Sequence, residues 1–256
     1  MKLHAGTSGF AFKEWKGSFY PADMKDDGML GFYSSKFPTV EINNTFYRLP
    51  REDVLESWAA QVPEPFTFAI KASQRITHWA RLKPQCATAV EFLLKNTSVL
   101  AGRLGPILFQ LPPNLEKETD LLRAFLDMLP RERRYTLEFR HESWFDEDVF
   151  SALRSHDVAL CVAESDEFRC PNVATASWGY LRLHRQDYTD PMLAEWQATV
   201  DAHSWSDAYV FFKHDYIDGA GPLAVERFTA MVGAGSASVS ASDARLPVAA
   251  LAGVRV

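Results

Sequence analysis

Eight short segments rich in β-branched and aromatic residues alternate with longer stretches of helical periodicity. The strand-like segments lie at 3–8, 39–45, 66–71, 107–111, 135–140, 158–164, 179–184 and 209–213. This alternation constrains the fold more than any other feature. Successive parallel strands joined by a crossover helix wind right-handed, so repeated units build a parallel sheet covered by helices. Eight units favour closure into a (β/α)8 TIM barrel, which needs about 250 residues, and the chain has 256.

The intervening helices are expected at 26–36, 51–62, 85–101, 119–129, 147–155 and 191–204, with a last one from 222 to about 232. Thr119 ahead of Asp120 is a start signal, and so is Asp190 with Pro191 in the first helical position. Pro63, Pro65 and Pro130 end helices, because proline lacks the donor and clashes with the preceding turn. The unit after the sixth strand is weak: 168–177 contains Pro171 and reads as loop, so one outer helix is expected to be missing or irregular. Residues 1–232 read as a single barrel domain. The tail at 233–256 is rich in Gly, Ala and Ser and carries no pattern that can be placed.

Composition narrows the class. No apolar run approaches the ~20 residues that cross a bilayer, and the first residues lead into a strand without a signal-peptide layout. Cys86, Cys161 and Cys170 are odd in number and lack paired metal-ligand spacing, so reduced thiols and a cytoplasmic location are expected. A net charge of −6 gives no global reason to expect nucleic acid.

Strand side chains alternate between faces, and that rule sorts the strand ends. Glu41 and Asn43 fall on one face of the second strand, Thr67 and Lys71 on one face of the third. Gln110, Glu138, Arg140, Glu164, Arg182, His184 and Lys213 follow on the remaining strands. Their neighbours on the other face are apolar, among them Val40, Ile42, Phe68, Ile70, Phe109, Leu137, Leu181 and Phe212. In a barrel the apolar set packs on helices and the polar set faces the axis, at the C-terminal mouth where barrel enzymes place their sites. Lys71, Arg140, Arg182 and Lys213 outnumber Glu41, Glu138 and Glu164 by one charge, which suits a small polar or anionic ligand, phosphorylated ones included. The carboxylates are candidates for acid/base work if their neighbours push their pKa values apart. As an alternative, the same charges form a structural ion-pair network.

Other chemistries have thinner support. Gly6-Thr7-Ser8-Gly9 lacks the lysine and length of a nucleotide P-loop and reads as a tight turn. His4, His78, His141, His184 and His214 show no HxxxH or HxH spacing, so neither a metal nor a cofactor is expected. Cys161, mid-strand, reads as core. The loop 72–83, with Arg75, His78, Trp79 and Arg81, is either a lid or wall of the mouth or a packed surface excursion.

A resemblance rests on these same motifs. Gly6-Thr7-Ser8-Gly9-Phe10 with Trp15, Phe19-Tyr20-Pro21, Val40-Glu41-Ile42-Asn43 with Thr45-Phe46-Tyr47 and Leu49-Pro50 open it. Phe68, Lys71, Gly105-Pro106-Ile107-Leu108-Phe109-Gln110-Leu111-Pro112-Pro113, Glu138-Phe139-Arg140-His141 with Trp144, and Arg182-Leu183 complete it. The chain resembles the YecE-like family, domain of unknown function 72, over nearly all its length to about Phe228. The resemblance implies a TIM barrel and says little about activity. Many members follow the seventh-strand arginine with Leu-His-Gly, where this chain has Leu183-His184-Arg185. Many carry Asn-Asn after the eighth strand, where this chain has Lys213-His214.

The leading expectation is an enzyme of hydrolase, lyase or isomerase type. Glu41, Glu138 and Glu164 would be catalytic, and Asn43, Lys71, Gln110, Arg140, Arg182, His184 and Lys213 would bind substrate. A nucleic-acid-binding or nuclease-like barrel is a less favoured alternative, and a non-catalytic ligand-binding protein is a third.

Overall fold

All eight expected strands form. The computed structural model describes residues 1–49, 51–213 and 219–242, with side chains as far as 232. The strands are β1 (Lys2–Thr7), β2 (Thr39–Ile42), β3 (Thr67–Lys71), β4 (Leu104–Gln110), β5 (Tyr135–Glu138), β6 (Ala159–Glu164), β7 (Gly179–Leu183) and β8 (Asp207–Phe212). They pair in parallel in the order β1-β8-β7-β6-β5-β4-β3-β2. A parallel bridge between Ser8 and Glu41 brings the two ends together, giving a nearly closed (β/α)8 TIM barrel.

The β1–β2 seam is closed by a side chain where ladder bonds are sparse. The Tyr33 hydroxyl lies 2.8 Å from the Thr7 amide, which donates to it, and 3.1 Å from the Thr39 carbonyl, which accepts from it. Gly6 makes this approach possible, since a Cβ there would stand 2.1 Å from the Thr39 carbonyl oxygen.

The helices are α1 (Met29–Lys36), α2 (Glu52–Ala60), α3 (Ala87–Thr97), α4 (Thr119–Asp127), α5 (Glu147–Arg154), α6 (Asp190–Asp201) and α7 (Ala220–Ser242). No helix separates β6 from β7, as the loop chemistry around Pro171 anticipates. The helix expected to stop near 232 continues as backbone helix to Ser242, so its apolar Gly/Ala/Ser continuation is not a bare tail; 243–256 lie outside the described residues. Thr119 and Asp190 are first residues of helices rather than side-chain caps. Asp190 instead accepts from Arg227 Nε of α7 at 2.9 Å. No helix among the described residues is long and apolar enough to cross a membrane. The three cysteines are free and buried.

Inside the barrel, Ala69, Leu108, Ala159, Cys161, Tyr180, Tyr209 and Phe211 pack on one another with Trp178. The larger core lies between the strands and the helices and contains Val40, Ile42, Phe68, Ile70, Phe109, Leu137, Leu181 and Phe212. The expected outer face is therefore largely right. β6 is the exception. Ala159, Cys161 and Ala163 face the axis, while Leu160 and Val162 face the helices. Glu164 then points away from the mouth. Small residues on the inner face of β6 make room for Tyr180, Tyr209 and Phe211.

At the opposite, N-terminal end, Arg134 Nη2 pairs with Asp207 at 2.7 Å, and His4 Nε2 lies 3.0 Å from the same carboxylate. The Arg134 guanidinium also lies over the Trp178 ring. This cluster plugs the base of the barrel and leaves the C-terminal end open.

Candidate functional site

A cavity of about 850 Å3 opens at the C-terminal end of the strands. Asn43, Lys71, Gln110, Arg140, Arg182, His184 and Lys213 all line it, so every expected binding residue reaches one place. Phe10, Phe12, Leu30, Ile42, Phe46, Tyr47 and Trp58 form an apolar wall on the side of α1 and α2. A mixed lining of this size is the usual character of a small-molecule site.

The floor is a buried network centred on Arg182. Its Nε donates to Glu41 Oε2 at 2.9 Å, and Nη2 donates to Glu41 Oε1 at 2.8 Å. Nη1 donates to Glu138 Oε2 at 2.5 Å. Glu41 also accepts from Ser8 Oγ at 2.8 Å, Asn43 Nδ2 at 3.0 Å and the Tyr180 hydroxyl at 2.7 Å. Glu138 accepts from Gln110 Nε2 at 2.8 Å and Arg140 Nε at 2.7 Å. Burial works against both charges, but Arg182 outweighs it and holds Glu41 down to about 2, with Glu138 also well below the carboxylate range. Both stay ionised at neutral pH. Their lone pairs are occupied by donors, so neither is poised to exchange protons with a ligand near pH 7.

The cations differ among themselves. The alternative of a structural ion-pair network sets Lys71 against a carboxylate. Among the described residues, however, no hydrogen bond or ion pair involves its ammonium; Nζ instead lies 4.5 Å from the Phe46 ring centroid. The reason is competition: a planar guanidinium spans two carboxylates with directed donors, which a lysine point charge cannot do. Burial, with the Arg182 charge, lowers the Lys71 pKa to about 8. Arg140 is half-exposed, with Nη2 2.7 Å from Glu138. His184 Nε2 lies 3.0 Å from Ser8 Oγ. Since Ser8 gives its proton to Glu41, the imidazole donates to Ser8. Burial and the Arg182 charge depress His184 to about 3, keeping it neutral.

Glu164 is a correction to the expected catalytic set. It lies outside the cavity lining and accepts from the Tyr188 hydroxyl at 3.0 Å and Trp196 Nε1 of α6 at 2.9 Å. It is a brace between barrel and helix. Without it, Glu41 and Glu138 are the two expected carboxylates that meet Arg140 and Arg182 over the axis, and Asp26 and Asp27 line the cavity from the side of α1.

The loop after β3 fits the second of its two readings, a packed surface excursion. It forms a π-helical turn, Arg75–Trp79, anchored by buried Ile76, with Arg81 and Leu82 at positive φ. Arg75, His78, Trp79 and Arg81 do not line the cavity, although the His78 ring rests edge-on against Phe46. The histidines do not converge. His4 is at the barrel base and His141 lies beyond β5, bonded to Ser143; His214 is outside the described residues. Among the described residues no three His, Cys, Asp or Glu side chains are arranged to hold a metal ion.

Ser8 and Tyr180 belong to the site, and the strand-end residues read from sequence do not include them. Alternation alone points to both: Tyr180 shares a face with Arg182, and Ser8 shares one with His4. Of the aromatic wall, only Phe46 and Tyr47 stand beside an expected site residue in sequence.

Comparison with known proteins places the chain in a family. A family model described as "Protein of unknown function DUF72" matches residues 4–249. The UPF0759 protein YecE of Escherichia coli (strain K12) is 38% identical over 114 residues, covering 44% of this chain and 42% of that protein. The UPF0759 protein YunF of Bacillus subtilis (strain 168) is 32% identical over 135 residues, covering 50% of this chain and 48% of that protein. The matches thus span less than half the length of these curated relatives. A DUF72 protein of Thermotoga maritima superposes with a TM-score of 0.75 at 23% identity, over 91% of this chain and all of the other. One from Enterococcus faecalis gives 0.76 at 15% identity, over 90% and 95%. At these identities the structural likeness carries the fold alone.

Proposed function

This chain belongs to the DUF72 family of proteins of unknown function, and from that premise we propose that it is an enzyme acting on a small anionic molecule at the C-terminal mouth of its barrel. One observation carries the reading. Arg182 occupies both axial carboxylates, so Lys71 and the outer face of Arg140 present positive charge to a cavity of about 850 Å3. A phosphate or carboxylate is the complementary group. Glu41 and Glu138 serve as anchors that hold Arg182 and Arg140 in place, and proton transfer falls to other groups or to the ligand itself.

The test is a thermal-shift and calorimetry panel of inorganic phosphate and small phosphorylated and carboxylated compounds. Millimolar anion is expected to raise Tm, with the gain shrinking as salt rises. Arg140→Ala should weaken binding at least fivefold while the protein stays folded, since its side chain is half-exposed. If no anion shifts Tm and Arg140→Ala changes nothing, the reading fails. Tight binding without turnover of any compound would favour a ligand-binding protein over an enzyme.

A second reading has its own support. Tyr47 and Trp79 are 74% and 65% exposed near the mouth, and the Arg75 guanidinium lies 5.8 Å from the Trp79 ring. Exposed aromatics beside cations can stack single-stranded bases. This predicts salt-dependent binding of short oligonucleotides. A lack of binding at low salt would dismiss it.

A further inference from the structure

Lys71 is a half-buried cation of the mouth that takes no part in the carboxylate network around Arg182. It sits at the end of β3, with its backbone carbonyl accepting from Thr45 Oγ1 at 2.7 Å, so its base is fixed. Its Nζ rests against the Phe46 face inside the cavity. The donors on Glu41 and Glu138 come from Ser8, Asn43, Gln110, Arg140, Tyr180 and Arg182, and Lys71 is not among them. Lys71 has Arg182 and Arg140 as cationic neighbours and no ion-pair partner among the described residues, an arrangement that activates a lysine nucleophile, while the Phe46 ring face favours its charged form.

We propose that the Lys71 amine is the reactive group of the site, forming a protonated imine with the carbonyl carbon of an anionic aldehyde or ketone held in the mouth. The anionic half of this proposal rests on the reading above; the amine half does not. The step balances without a co-reactant. The ammonium releases a proton, and the nitrogen lone pair bonds to the carbonyl carbon while the C=O π pair moves to oxygen. The nitrogen, now positively charged, gives up a second proton; the oxygen takes up two protons in all and leaves as water as the freed nitrogen lone pair closes the C=N bond. One ammonium and one carbonyl compound become one iminium and one water. Such an iminium is an electron sink for breaking a bond to the adjacent carbon, which is lyase or isomerase chemistry.

The depressed pKa of about 8 supports the same assignment. At pH 7 roughly a tenth of the molecules would carry the free amine, some hundredfold more than for an ordinary lysine.

Reductive trapping tests the proposal on the intact chain. Glyoxylate, glyceraldehyde 3-phosphate and neutral propionaldehyde are each incubated with sodium cyanoborohydride, which delivers hydride to the iminium carbon, and modified lysines are mapped by mass spectrometry. Exposed Lys13 and Lys95 are internal references. Lys71 is expected to label at least tenfold faster than either at pH 7.5, with a rate rising through a midpoint near pH 8. Inorganic phosphate should slow labelling by the anionic probes. Equal labelling of Lys71 by all three probes, unprotected by phosphate, would support the reactive amine and remove the anion reading. Phosphate binding with Lys71 labelling no faster than Lys13 would overturn the proposal and leave the anion reading standing. Lys71→Met, checked for folding by circular dichroism, must lose the fast-labelled site; if another peptide keeps it, the assignment is wrong.

Discussion

Arg182 grips Glu41 side-on, with Nε 2.9 Å from Oε2 and Nη2 2.8 Å from Oε1, and both side chains are almost wholly buried. The remaining nitrogen reaches Glu138, so one guanidinium ties β7 to β2 and β5, neither of them its neighbour in the sheet. A buried pair of this kind is a weak source of net stability when intact, because desolvation offsets much of the attraction. It becomes costly when one partner is removed.

Replacing Arg182 by Met should therefore destabilise the barrel by about 3–5 kcal/mol, since two buried carboxylates lose their cation. Urea unfolding followed by tryptophan fluorescence measures this. Adding Glu41→Gln and Glu138→Gln to the same protein should recover part of the loss. A single variant as stable as the parent would show that the network does not hold the mouth together.

Acid should unfold the protein in a defined window. His184 is neutral in the fold down to about 3 against an ordinary 6.5. Between those values the unfolded chain binds a proton that the folded one does not. Glu41 does the same between 4.5 and about 2, and Glu138 acts in the same direction. The contribution of these three groups is thus full above pH 6.5 and is lost as pH drops through both ranges. His184→Gln should flatten the upper part of the curve, and urea midpoints at half-unit pH steps would show it. An unchanged slope between pH 6.5 and 5 would contradict the burial of a neutral imidazole.

The seam between β1 and β2 is a point of fragility. Tyr33→Phe removes a hydroxyl that serves Thr7 and Thr39 and should cost about 1–3 kcal/mol, the penalty of unpaired buried polar groups. Gly6→Ala should cost more, because its new carbon would collide with the Thr39 carbonyl rather than with a movable side chain. Hydrogen exchange should rise first at Thr7. Loss elsewhere, with Thr7 still protected, would place the weak point away from the seam.

Lys71→Met should make the protein more stable at pH 7, by about 1–3 kcal/mol. The folded state holds Lys71 near 8 while the unfolded chain holds it at 10.5. The parent therefore binds fewer protons folded than unfolded between those values, and gains stability as pH rises from 8 to 10.5. The difference between parent and variant should close over that range. A variant less stable at pH 7 would mean the ammonium is held by favourable contacts.

The strands and helices were legible because their signals are local. Val40, Ile42, Phe68 and Ile70 alternate with Glu41 and Lys71 within a few residues, and that period fixes which face packs on helices. The gap between β6 and β7 was legible for the same reason, through Pro171. Alternation failed at Glu164, where a polar residue at a strand end looked inward while the small residues Ala159, Cys161 and Ala163 had already claimed the axis. Nothing within β6 alone says that Tyr180, Tyr209 and Phe211 need that room, or that Trp196 and Tyr188 wait outside as donors.

The sequence by itself determined the barrel and gathered the expected binding residues at one end. Only the tertiary structure decided who pairs with whom there. Arg182 lies 141 residues from Glu41 and 44 from Glu138, and partners so far apart are chosen by geometry and competition rather than by spacing. Charge counting offered four cations for the same carboxylates. The fork of Arg182 won both of them, and that outcome left Lys71 against a phenyl ring with its amine facing the cavity.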